Sequence, residues 1–225
     1  MNFITKIFFG LLVALVLATG VSLVVYSQRP IETDVFVQTG PAAVEPQPES
    51  MNATFLAMGD IMLSRDVAAQ MARNNKDPNW PFANLQTELK SVDFSFANLE
   101  SPYSGADTYP DFRSLVFNAP TWTLPGLVQN NFKVLNLANN HALDQGSKAI
   151  PYTQKLLTDN GILSIGVGDS LDEAWQGKVY DANGVKIGFI GASYSSVNDG
   201  GQGRNNFVAR IDDTVRLQAS IRELK

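Results

Sequence analysis

The sequence contains no cysteine and a single histidine, His141. Without thiols, disulfides, cysteine-ligated zinc and a thiol nucleophile are all excluded. With one imidazole, a Ser-His-Asp triad would have to use His141, and a multi-histidine metal site cannot be completed within these residues. Charge is sparse as well, at 17% of residues with a net charge of −5. Lys and Arg are scattered and form no run. That argues against a nucleic-acid partner, whose phosphates call for a basic patch. No internal repeat is present.

What is there suits one sizeable domain and a membrane segment: 225 residues, 44% of them hydrophobic. From Ile7 to Gln28 no residue is charged, and Ile7 to Tyr26 is almost wholly apolar. About 20 such residues cross a bilayer as a helix, so 7–28 reads as a transmembrane signal-anchor. Lys6 precedes it with no acid on that side, which favours residues 1–6 in the cytoplasm. A cleaved signal peptide is the other reading, with Val25-Tyr26-Ser27 as the cleavage site, but signal cores usually run only about 7–15 residues. Either way the remainder is exported, and the expected location is the cell membrane, single-pass, with the domain on the extracytoplasmic side. Residues 29–51, rich in Pro, Glu, Thr and Gln, read as an extended spacer. The folded domain is expected over 52–225.

Within the domain, strand-like and helix-like segments alternate, which implies an α/β fold. Ala53–Met58 reads as a buried strand feeding Gly59-Asp60. Val92–Ala97 is a second strand, ending in Asn98-Leu99-Glu100, and Lys133–Leu137 a third, ending in Asn139-Asn140-His141. Helices are expected over Ser64–Asn75, capped by Ser64, and over Ser147–Asn160, capped by Ser147 and closed by Gly161. Gly177–Ala192 reads as a hairpin with an Asn183-Gly184 turn. Asp212–Lys225 reads as a helix with Leu217, Ile221 and Leu224 on one face.

Three successive strands thus end in polar clusters, and in open α/β sheets ligands bind at the carboxyl ends of strands. Carboxylates, amides and one imidazole gathered there suit a divalent cation such as Mn²⁺, Mg²⁺, Fe²⁺ or Zn²⁺. Each cluster also has a structural reading: Asp60 as a cap, Asn98 and Glu100 as turn formers, Asn139 as a left-handed residue. His141 is a hydrogen-bonded structural residue in one reading. In the other, Asp144 three residues on orients or charges the imidazole and makes it a proton donor. Gly200-Gly201-Gln202-Gly203 lacks the Lys-Ser/Thr of a P-loop, and Gly166-Val167-Gly168 lacks the third Rossmann glycine. Trp80, Trp122 and Trp175 are assigned to core packing.

The blocks MGDIMLSR (58–65), FANLESP (96–102) and NLANNHALDQG (136–146) resemble, in order and spacing, the signatures of CapA-like proteins of poly-γ-glutamate capsule biosynthesis. GILSIGVGDSLDEAW (161–175) and GVKIGFIGASY (184–194) resemble that family's following segments. The resemblance implies a calcineurin-like metallophosphoesterase fold, an α/β/β/α sandwich, of which this chain holds the N-terminal part behind one transmembrane helix. It implies metal ligands at Asp60 and Asn140, with Asn98 and Glu100 in the block that holds the superfamily's bridging acid, and His141 as a phosphate-contacting acid; Asp144, from its spacing to His141, is expected as the catalytic partner. Arg65 is a looser match, to an anion contact. The family continues with His-Trp-Gly and Gly-His-His-Pro-His blocks that are absent here, so an incomplete domain and a weak metal site are expected.

Two functions from different classes follow from the resemblance. One is a metal-dependent hydrolase or transferase acting on a phosphate or acyl bond. The other is a non-catalytic component that binds the anionic polymer poly-γ-glutamate during export, beside other capsule-synthesis membrane proteins. An inactive fragment of a longer protein is the third reading.

Overall fold

The computed structural model describes residues 51–194 and 205–225. The expected membrane stretch at 7–28, nearly all of the spacer, and the glycine run at 200–203 lie outside the described residues. Among the described residues no helix is long and apolar enough to cross a membrane.

Four parallel strands, β1 (Phe55–Ile61), β2 (Phe94–Leu99), β3 (Phe132–Asn136) and β4 (Leu163–Ile165), form one sheet in sequential order. Parallel neighbours need a crossover, and each crossover here carries helix. Between β1 and β2 run α1 (Arg65–Arg73), a 3₁₀ turn at Trp80–Leu85 and α2 (Gln86–Lys90). A long loop, a 3₁₀ turn at Thr121–Thr123 and α3 (Leu124–Gln129) lead to β3, and α4 (Ala149–Thr158) leads to β4. The short helix α5 (Leu171–Ala174) precedes a hairpin of β5 (Lys178–Ala182) and β6 (Val185–Phe189), and α6 (Thr214–Glu223) comes last.

The strands alternate faces, and both faces are covered. Ala97, Leu99 and Leu135 face the helices, in a core with Leu63, Met71, Phe82, Leu127 and Leu157. Phe94, Phe96 and Val134 face the hairpin, packing with Tyr180, Ile187 and Phe189. Burial on both sides is why β2 and β3 read as nearly unbroken apolar runs. Fully burying a side chain such as Leu135 contributes about 1.5–3 kcal/mol. A parallel sheet with helices on one face and a β-layer on the other fits a calcineurin-like α/β fold.

At the sheet's N-terminal end, Asp93 ties three elements together. One carboxylate oxygen accepts from Thr54 N at 2.7 Å and Thr54 Oγ1 at 2.9 Å. The other accepts from Asn183 Nδ2 at 2.8 Å. Asn183 (φ 54°) and Gly184 (φ 84°) are both left-handed, as the expected two-residue turn requires.

Several local expectations are corrected. β1 and β2 run further than expected, to Ile61 and Leu99, so Asp60 and Asn98 are strand residues rather than loop residues. Ser64 does not cap α1 with its side chain. Its buried Oγ accepts from Asn118 N at 3.1 Å instead. α4 starts at Ala149 behind Lys148, not at Ser147. Gly161 does follow that helix, at φ 72°. Trp175 is buried, whereas Trp80 is exposed, and so is Ile221 on α6. The three-residue β4 was not expected at all, because a short run between Gly161 and Gly166 carries no readable period.

Candidate functional site

Strand register builds the site. Asp60 on β1 pairs with Asn98 on β2, and Asn98 pairs with Asn136 on β3. The register of β1 shifts between Ala57 and Asp60, an irregularity of the kind that re-aims side chains beside functional sites. Three polar side chains therefore lie in a row across adjacent strand ends. Asn98 Nδ2 donates to Asp60 Oδ1 at 2.8 Å, and Asn136 Nδ2 donates to Asn98 Oδ1 at 2.8 Å. Asn139 Nδ2 also donates to Asn98 Oδ1, at 3.1 Å, and to Leu99 O at 2.9 Å. Asn139 Oδ1 accepts from His141 N at 3.0 Å, which fixes where the imidazole starts.

Asn98 is thus the hub of the row, and its carbonyl oxygen already accepts two N–H groups. Reversing the amide would turn its oxygen toward Asp60 and its NH₂ toward two donors, so the network itself sets the orientation. The adjacent asparagines divide the work in the same way. Asn139 is buried and bonded on both amide atoms. Asn140 is half-buried, and among the described residues its amide has no hydrogen-bond partner.

Glu100 lies just beyond β2. Its backbone N donates to Ile61 O at 2.9 Å, which holds it next to the end of β1. Burial pushes its carboxyl above the ordinary range, and the Asp60 charge adds to that; His141 and Arg65 pull the other way, and Asp144 raises it again. Among the described residues the Glu100 carboxylate has no hydrogen-bond partner, so only the more distant charges of His141 and Arg65 oppose its partial desolvation.

His141 is held on two sides. Its Nδ1 lies 2.7 Å from Asp144 Oδ2, an acceptor that assigns the Nδ1–H tautomer and leaves Nε2 for other chemistry. Its ring stacks on Phe117, with centroids 3.7 Å apart and planes 16° apart. Asp144 Oδ2 also accepts from Phe117 N at 2.6 Å, and Phe117 O accepts from Gln145 Nε2 at 2.7 Å. Arg65 completes the cluster: its guanidinium carbon is 4.7 Å from the Phe117 centroid, and Nη1 donates to Ser114 O at 2.9 Å. Its φ of 48° is left-handed for a non-glycine residue, a conformation that costs roughly 1–3 kcal/mol and clusters at functional sites.

The expected residues Asp60, Glu100, His141 and Asp144 are therefore brought into one electrostatic neighbourhood, together with Arg65. Asn136 and Phe117 were missed, and Asn139, expected as a left-handed turn residue, has no positive φ and instead bonds Asn98 and Leu99. Asn136 and Asn139 stand in the same block as His141, but spacing does not say which asparagine organises and which is left unbonded. Among the described residues, no three His, Asp or Glu side chains come together as a metal cage. The donor set that remains consists of two carboxylates and one unbonded amide, all hard oxygen donors, and it fits one side of a site for a hard cation.

The family model described as "Bacterial capsule synthesis protein PGA_cap" matches residues 54–225. "Capsule biosynthesis protein CapA" of Bacillus anthracis is 28% identical over 151 residues, covering 64% of this chain and 35% of that protein. "PGA biosynthesis protein CapA" of Bacillus subtilis (strain 168) is 28% identical over 143 residues, covering 63% of this chain and 37% of that protein. An uncharacterized protein of Sinorhizobium fredii, y4sH, is 25% identical over 148 residues, covering 63% of this chain and 30% of that protein. The chain thus spans about a third of the length of the curated relatives it matches. With its strand-end blocks and its parallel sheet, the chain belongs to the bacterial capsule synthesis protein family PGA_cap.

Proposed function

We propose that this protein serves capsule or exopolymer biosynthesis from the extracytoplasmic side of the membrane, tethered through 7–28, with a divalent-cation site at the strand ends. The observation that carries this reading is the pairing of Asp60 with a half-buried Glu100 that has no hydrogen-bond partner among the described residues. Two carboxylates held together without enough donors are stabilised by a cation between them. Asp60, Glu100 and Asn140 would hold it, and their oxygens favour Mn²⁺ or Mg²⁺ over softer ions. Asn98 then acts mainly by orienting Asp60. A bound cation supplies Lewis acidity toward a phosphate or acyl oxygen.

His141 carries the proton chemistry. With Nδ1–H engaged by Asp144, Nε2 is the atom that gives a proton to a leaving oxygen or takes one from an attacking group. The substrate class is an anionic polymer, poly-γ-glutamate, or a phosphate-bearing precursor. The second reading is a polymer-binding export component, in keeping with the small number of charged ligands that come together among the described residues.

The substitution His141→Ala in the full-length gene product separates the two. Loss of polymer output by about 10²–10⁴-fold, with polymer binding retained, is expected for general acid–base work. Unchanged polymer output would remove His141 as a catalyst and leave the binding role.

A further inference from the structure

Phe117 stands in none of the sequence blocks that mark the site, yet two of the site's side chains rest on it. The His141 imidazole stacks on its ring, and the Arg65 guanidinium lies over it. The residue is buried, and its own backbone is pinned at both polar groups, by Asp144 and by Gln145. The ring is therefore held through its own backbone, and Asp144 Oδ2 ties that backbone to His141 as well.

Arg65 has little else to do. Ser114 O takes one guanidinium N–H, Nε is buried with no hydrogen-bond partner, and among the described residues no carboxylate forms an ion pair with it. A guanidinium offers five N–H donors in a rigid fork shaped for carboxylate or phosphate. Here one is spent on the fold, while the backbone adopts a left-handed conformation that does nothing for helix α1. An aromatic ring under the guanidinium restrains where such a fork sits, and a point-charge ammonium does not reproduce its bidentate geometry.

We infer that Phe117 is a positioning residue whose ring carries the Arg65 guanidinium as well as the His141 imidazole, so that Arg65 receives the carboxylate or phosphate of an anionic ligand. This rests on the reading of the strand ends as the functional site, and it adds an anion subsite next to the proposed cation.

Because His141 is the chain's one histidine, its ring C–H signals in the full chain report on this spot without assignment ambiguity. Inorganic phosphate and a γ-linked glutamate trimer are titrated separately at fixed pH. A saturable shift with at least one of them is expected; phosphate alone marks a phosphoryl ligand, the trimer alone a carboxylate polymer. Phe117→Leu should weaken that anion about tenfold, Phe117→Tyr should restore it, and Arg65→Lys should weaken it although charge is kept. Mn²⁺ binding in the same samples should survive Phe117→Leu and fall in Asp60→Asn, which tells failure of the anion subsite from failure of the cation site. The inference is overturned if neither anion shifts the wild-type signal, or if Phe117→Leu binds like wild type. It is overturned equally if Phe117→Leu loses anion, Mn²⁺ and cooperative unfolding together, since Phe117 would then be a core residue and nothing more.

Discussion

At the N-terminal end of the sheet the Asp93 carboxylate collects three hydrogen bonds, from Thr54 and Asn183; at the C-terminal end the Glu100 carboxylate has none among the described residues. The consequences have opposite sign. Donors from Thr54 N, then Asn183, then the Thr54 hydroxyl hold Asp93 below the ordinary carboxylate range. Burial, then the Asp60 charge, hold Glu100 above it. One end spends its carboxylate on joining β1, β2 and the hairpin. The other keeps a carboxylate under-satisfied, which costs stability and is sustained only by the packing around it. By residue chemistry alone, both are acids at the edge of one sheet; their hydrogen bonds set them apart.

The comparison breaks most sharply at Asn98, which organises the candidate site. Asn98→Ala removes the donor to Asp60 and the acceptor shared by Asn136 and Asn139, and it should destabilise the domain by about 1–3 kcal/mol. Chemical denaturation with the slope of the transition unchanged is the check.

A smaller loss is expected at the structural end. Asp93→Asn should lower the melting temperature at neutral pH and leave Mn²⁺ affinity alone. The sign of its pH dependence follows from a folded-state pKa below the unfolded value of about 3.9. The Asp93 contribution is fully present above that unfolded value and is lost as pH falls through the depressed folded value. The melting-temperature gap between wild type and variant should therefore close only in acid.

The smallest effect has the reverse sign. Glu100→Gln removes the charge opposing Asp60 and should raise the melting temperature slightly while weakening Mn²⁺ binding. A variant that is less stable, with Mn²⁺ affinity intact, would equate the two ends of the sheet.

Much of this layout was legible in the sequence, and particular residues show where legibility stopped. Asp60, Glu100 and His141 could be read because each follows an apolar run, and strand ends gather ligands in α/β sheets. The Asn183-Gly184 turn could be read because only a few residues accept left-handed φ at both positions. Phe117 could not, since its stack on His141 joins a long loop to a distant strand end and leaves no local period. Nor could the division of labour between Asn139 and Asn140, which depends on which amide the turn points back at Asn98. Ser64 misled because a serine before a helix ordinarily caps it, whereas here tertiary structure claims its hydroxyl for Asn118.

The most direct measurement uses the single histidine again. Mn²⁺ is paramagnetic and broadens nearby nuclei, so a cation held by Asp60, Glu100 and Asn140 must broaden the His141 ring signals at substoichiometric Mn²⁺. Selective broadening that is abolished in an Asp60→Asn/Glu100→Gln double variant is the expected result. Broadening of His141 no stronger than that of residues at the Asp93 end, or broadening that persists unchanged in the double variant, would contradict the assignment of a cation site to this end of the sheet.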